Sequence, residues 1–118
     1  MKALVTGASG FIGNALCDAL RARGDDVVAA VRTGEPRANV IMTGDINANT
    51  DWSAAVRDVE VVFHLAAHVH VLDAHAARDL EKFREVNVGG SESLARAAIA
   101  AGVRRFVFMS TVATSETA

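Results

Sequence analysis

The sequence predicts a doubly wound α/β fold, a parallel sheet with helices on both faces, truncated after its fifth strand. Three observations carry this expectation. Short runs that are apolar on both faces alternate with segments whose apolar residues recur every third or fourth position. A strand, turn, helix, turn, strand succession is complete by residue 31. Glycines at 7, 10 and 13 fall where the first strand meets the first helix.

Taken in order, residues 2–6 (Lys-Ala-Leu-Val-Thr) suit a central parallel strand that ends at Gly7. Ile12, Leu16 and Leu20, with Phe11, Ala15 and Ala19 beside them, give residues 11–22 one apolar helical stripe. Gly24 stands where a helix end favours a left-handed residue. Residues 26–31 (Asp-Val-Val-Ala-Ala-Val) form the second strand. Residues 33–39 hold the only proline and are too short for a helix; Val40-Ile41-Met42 is a brief third strand. Asn49 or Thr50 caps a helix over 51–58, with Asp51 near its positive end. Residues 60–65 (Glu-Val-Val-Phe-His-Leu) are the fourth strand. Residues 74–101 read as one long helical stretch, in which Gly89-Gly90 marks a bend or a close packing contact. Gly102 stops it, and Arg105–Met109 is the fifth strand. Right-handed crossovers then order the sheet 3-2-1-4-5. The switch point lies between strands 1 and 4, so a ligand is expected at their C-terminal ends.

Composition narrows the partners. The 118 residues make one domain, 1–118, and 51% apolar with 22% charged residues is the balance of a globular chain. A net charge of −2 without a Lys/Arg cluster argues against a nucleic-acid partner, because phosphate neutralisation needs a concentrated basic face. No apolar run approaches the ~20 residues that span a bilayer, so no membrane partner is expected. Cys17 is alone, which rules out an internal disulfide and fits a reducing, cytoplasmic setting.

The loop Thr6-Gly7-Ala8-Ser9-Gly10-Phe11-Ile12-Gly13 has the spacing G-x-x-G-x-x-G. Gly7 permits the tight turn, Gly10 lets the backbone approach a pyrophosphate, and Gly13 lets the helix pack close to the sheet. Free N–H groups at the helix start, around Ser9, Phe11 and Ile12, offer partial positive charge to phosphates. Three glycines alone could be a ligand-free turn. Their place between a strand and a helix, opening a βαβ unit, favours a dinucleotide.

At these residues the chain resembles the extended short-chain dehydrogenase/reductase family, the NAD-dependent epimerases, dehydratases and 4-reductases of nucleotide sugars. Four further segments agree in order and spacing. Gly44-Asp45-Ile46 is similar to the pair that contacts adenine. His64-Leu65-Ala66-Ala67 is similar to the segment that lines the cofactor after strand 4. Asn87 matches the asparagine of the long fourth helix, and Phe106–Thr111 matches the fifth strand with its terminal hydroxyls. The resemblance implies a Rossmann-type cofactor domain and hydride exchange at a sugar carbon. It places Thr111 at the Ser/Thr position that orients the reacting oxygen, with Ser110 as its substitute. It also implies a Tyr-x-x-x-Lys pair as proton carrier. The chain has no tyrosine, and both of its lysines, Lys2 and Lys82, lie upstream. The expectation is therefore an N-terminal fragment, inactive as it stands, of an enzyme that takes a nucleotide-sugar substrate and forms a homodimer.

The cofactor is NAD or NADP. NAD users commonly place an acidic residue at the end of strand 2. Here Val31 and Arg32 occupy that place, and Asp25 and Asp26 come too early. A guanidinium forks onto a 2′-phosphate, so Arg32 leans the choice toward NADP. No metal is expected from His64, His68, His70 and His75, because Asp73 is the only nearby carboxylate and no cysteine joins them. A binding module from another class, a dinucleotide sensor or scaffold without chemistry, shares the same glycine loop.

Overall fold

The structure, a computed structural model, describes residues 1–34, 37–44, 46–65 and 85–109, with the backbone alone for 85–87. Among the described residues the elements are β1 (Lys2–Thr6), α1 (Phe11–Ala22), β2 (Asp26–Val31), β3 (Val40–Met42) and β4 (Val61–His64). A π-helical turn (Glu85–Gly90) then leads into α2 (Ser91–Ala101) and β5 (Arg105–Phe108). All strand pairs are parallel, and the order is β3-β2-β1-β4-β5, as the connection lengths and handedness predict. No described helix is long and apolar enough to cross a membrane.

The central strands β1, β2 and β4 are buried from both sides, whereas β5 is exposed, and alternate strand residues feed two cores. Leu4, Val28, Ala30 and Val62 meet Trp52, Val56, Leu94 and Ala98 on one face. Ala3, Val5, Val27, Ala29 and Val61 meet Ala8, Cys17 and Leu20 of the α1 side on the other. Burial on both faces explains why β1 and β2 read as unbroken apolar runs and not as alternating ones.

Three expectations need correction. Residues 51–58 form a succession of turns, not a helix. Asp51 does cap locally, since its Oδ1 accepts from the Ser53 N–H (3.0 Å) and hydroxyl (2.7 Å). Thr50, however, turns its hydroxyl backward to accept from the Asn47 N–H at 2.9 Å, and Asp58 at φ 61° leaves the helical region. Trp52, Ala55, Val56 and Val59 are still buried, so the apolar pattern was a packing signal and not a helical one. The stripe of α1 is also displaced: Gly13, Cys17 and Leu20 face the core, while Phe11 and Ile12 are exposed. Of the long helical stretch, the described part is π-helical over Glu85–Gly90 and α-helical over Ser91–Ala101, and residues 74–84 lie outside it.

Gly89 and Gly90 mark a packing contact. A Cβ on Gly90 would overlap Cγ2 of Ile46, and one on Gly89 would lie 3.2 Å from the Ala48 nitrogen. The π-helical turn is thereby seated on the segment that follows β3. Gly90→Ala should destabilise the chain by about 1–3 kcal/mol, read from the urea midpoint. Pairing it with Ile46→Ala should recover part of that loss relative to additivity, and strict additivity of the two would refute the contact.

Candidate functional site

The crevice opens where β1 and β4, adjacent in the sheet, end together at Thr6 and His64. Gly7 turns away from β1 at φ 66°, a conformation costly for any residue with a Cβ. The Gly10 N–H bonds the Gly7 carbonyl at 3.1 Å, and the Asn14 N–H begins the helix by bonding Gly10 at 2.9 Å. A Cβ on Gly13 would overlap the Gly7 carbonyl oxygen and stand 2.9 Å from the Ala8 Cα. The helix therefore lies against the loop at a distance that only glycine permits. No side chain caps α1, and its first turn contains no acidic residue. Its orphan N–H groups and their partial positive charge are left directed at the crevice.

The predicted site residues fall into three groups. Gly7, Ser9, Gly10, Phe11, Ile12 and Gly13 are brought together on the loop and first turn, with Phe11 almost wholly exposed at the rim. Arg32 follows β2 on the same end of the sheet, and its carbonyl accepts from the Gly44 N–H at 3.0 Å. Leu65 closes β4 beside the loop. Ile46 follows β3, with its side chain packed in the core and near Gly90. Asp45, Ala66, Ala67, Ser110 and Thr111 lie outside the described residues, as do His68, His70, His75 and the side chain of Asn87. Beside the loop, a cavity of about 240 Å³ runs along α1, lined by Ala8, Asn14, Arg21, Val31 and Arg37 among others.

A buried polar chain at the crevice floor escaped the sequence reading. The Thr6 Oγ1 and His64 Nδ1 share a hydrogen bond of 2.7 Å. The His64 Nε2 and Ser91 Oγ share one of 2.9 Å. The same Thr6 oxygen accepts the Leu65 N–H at 2.9 Å. Thr6 is 0% exposed and His64 1% exposed. Phe106 and Phe108 of β5 flank the imidazole at ring-centroid separations of 6.1 and 5.6 Å. This desolvation holds the His64 pKa down to about 4, so the ring is neutral and serves one bond as donor and the other as acceptor. The available signal was a polar residue ending an otherwise apolar strand, which must find a partner when buried.

A parallel, doubly wound sheet with a glycine-lined, uncapped helix start at its switch point defines the Rossmann-type class of α/β domains. Comparison with known proteins makes this specific. The family model described as "NAD dependent epimerase/dehydratase family" matches residues 3–116, and the chain belongs to that family. It is 40% identical over 112 residues to a UDP-glucose 4-epimerase of Vibrio cholerae, covering 92% of this chain and 34% of that protein. It is 35% identical to a 3 beta-hydroxysteroid dehydrogenase/Delta 5-->4-isomerase of Mycobacterium tuberculosis, covering 92% and 31%. A short-chain dehydrogenase/reductase superfamily protein of Agrobacterium tumefaciens, solved with bound NAD, superposes with a TM-score of 0.75 at 34% identity, covering 94% of this chain and 33% of that one. The chain thus spans about a third of the length of the curated relatives that it matches.

The buried histidine makes a pH prediction. Its folded pKa, about 4, lies below the ordinary 6.5. As pH falls below 6.5 the unfolded chain gains a proton that the folded chain refuses, so stability drops until about pH 4 and is unaffected by this group above 6.5. The full loss approaches about 3 kcal/mol. Urea midpoints between pH 7 and 4 should fall more steeply for the wild type than for His64→Gln; parallel slopes would refute the assignment.

Proposed function

We propose that this chain is the cofactor-binding part of an NAD(P)-dependent enzyme that transfers hydride at a carbon of a nucleotide-linked sugar. The observation that carries the reading is the loop Gly7–Gly13, held against α1 with no cap and no acid in the first turn. The fit to a dinucleotide is chemical. A pyrophosphate needs backbone approach and N–H donors, and the glycines at 7, 10 and 13 leave both open. Membership of an NAD-dependent epimerase/dehydratase family and the likeness to a UDP-glucose 4-epimerase support the substrate class.

In this reading the loop and the first turn of α1 hold the pyrophosphate through Ser9, Gly10, Phe11, Ile12 and Gly13. Asp45 and Ile46 border the adenine. Leu65, Ala66, Ala67 and Asn87 line the path toward the nicotinamide, and Thr111, or Ser110, orients the reacting sugar hydroxyl. The bound cofactor supplies hydride exchange. The proton of the sugar oxygen needs a carrier tuned near working pH, and the sequence contains no tyrosine for that role. Turnover by these 118 residues alone is not expected, which is also the behaviour of a binding-only module.

NADP is the favoured cofactor. Val31 and Arg32, not an acidic residue, stand at the end of β2, and Arg37 lines the adjoining cavity. A 2′-phosphate would meet guanidinium groups there. Calorimetric titration of the 118-residue chain should show NADP binding more tightly than NAD. Arg32→Ala should lower NADP affinity by roughly tenfold or more and leave NAD nearly unchanged. Equal affinities in the wild type would overturn the preference. Absence of binding by either cofactor would overturn the reading itself.

A further inference from the structure

Thr6, His64 and Ser91 come from three different elements; Thr6 and His64 are buried and Ser91 is half-buried. Thr6 ends β1, His64 ends β4 and Ser91 begins α2. The first N–H beyond β4, that of Leu65, takes its acceptor from the Thr6 side chain at 2.9 Å. Past Thr6 the β1 backbone has already turned off at Gly7. The hydroxyl thus replaces the next rung of the ladder, and the two strand ends separate without leaving a buried donor unpaired. Its position depends in turn on the imidazole that binds it at 2.7 Å.

The imidazole is fixed from its far side. Ser91 is the first residue of α2, where a serine at a helix start commonly bonds a backbone N–H; here its hydroxyl bonds His64 Nε2 at 2.9 Å. A neutral ring has one donor and one acceptor, so the bond at Nε2 fixes the direction of the bond at Nδ1. The helix that carries Ser91 is itself seated by Gly89 and Gly90 on Ala48 and Ile46.

We infer that Ser91, acting through His64 and Thr6, is a positioning residue for the dinucleotide crevice: it holds the imidazole in place and so the separation of the β1 and β4 ends. The inference rests on the dinucleotide reading given above for its functional consequence, but the relay has readouts of its own. Ser91→Ala removes one oxygen from a half-buried site and leaves Nε2 without that partner. Nitrogen-15 signals of the His64 ring, Nε2 above all, should shift. The Leu65 amide, some distance from the mutated atom, should shift and exchange faster with solvent. Affinity for NADP or NAD should fall about tenfold. Ser91→Thr, which keeps the hydroxyl, should restore all three; a residue that merely packs would not be rescued by the hydroxyl alone. Unchanged ring and Leu65 signals in a folded Ser91→Ala chain would overturn the relay. Changed signals with unchanged affinity would overturn its role in positioning the crevice. A wild-type chain that binds neither dinucleotide would instead strike the reading above, and the ring and amide signals would still decide the relay. Should Ser91→Ala fail to fold, Ser91→Cys, with a weaker donor and acceptor, should give the same changes in smaller degree, and wild-type signals in it would count against the relay.

Discussion

Contact between the Gly13 backbone and the Gly7 carbonyl sets the geometry on which the rest of this molecule depends. A helix that begins directly after a strand must pass over the strand's own end. Any side chain at Gly13 would occupy the space of the Gly7 oxygen and the Ala8 Cα. With that space free, α1 can lie close enough for Cys17 and Leu20 to reach Ala3, Val5 and Ala29 on the sheet. Burial of that sheet face and the aim of the helix start are therefore one arrangement. The same approach that dries the core leaves the orphan N–H groups of α1 at the strand ends.

Drying the sheet from both sides has a cost at its edge. Where β1 and β4 end, their peptide groups are still inside, and each needs a partner. The Thr6 hydroxyl accepts the Leu65 N–H, His64 holds that hydroxyl in place, and Phe106 and Phe108 flank the imidazole. A charged imidazole would be far more expensive to bury than a neutral one, so this environment selects the neutral form and makes the hydrogen bonds directional. The switch point thus has a defined shape because a polar group is buried there, not in spite of it.

Local pattern was legible where local physics decides it. The both-sided apolar runs of β1 and β2, the loop glycines and the left-handed Gly102 follow from short-range rules, and they position the crevice. Reading failed where tertiary contact overrules period. Trp52, Val56 and Val59 have helical spacing, yet they are buried from a chain of turns because Asp58 breaks the helix and the sheet face needs covering. The polar chain was out of reach for a different reason. Thr6 and His64 are 58 residues apart in sequence, and His64 and Ser91 are 27 apart. Each taken singly is an ordinary residue at the end of an element, and only strand register 3-2-1-4-5 brings them together.

The brevity of the β2–β3 connection bears on the cofactor. A parallel crossover usually includes a helix of its own, for which residues 32–39 leave too little chain. Among the described residues, a cavity of about 240 Å³ lies between α1 and the start of the link, lined by Val31, Thr33 and Gly34 among others. A crossover helix would fill this space with apolar side chains. Here Arg21 and Arg37 stand on the cavity's walls. The short link leaves β3 a three-residue edge strand.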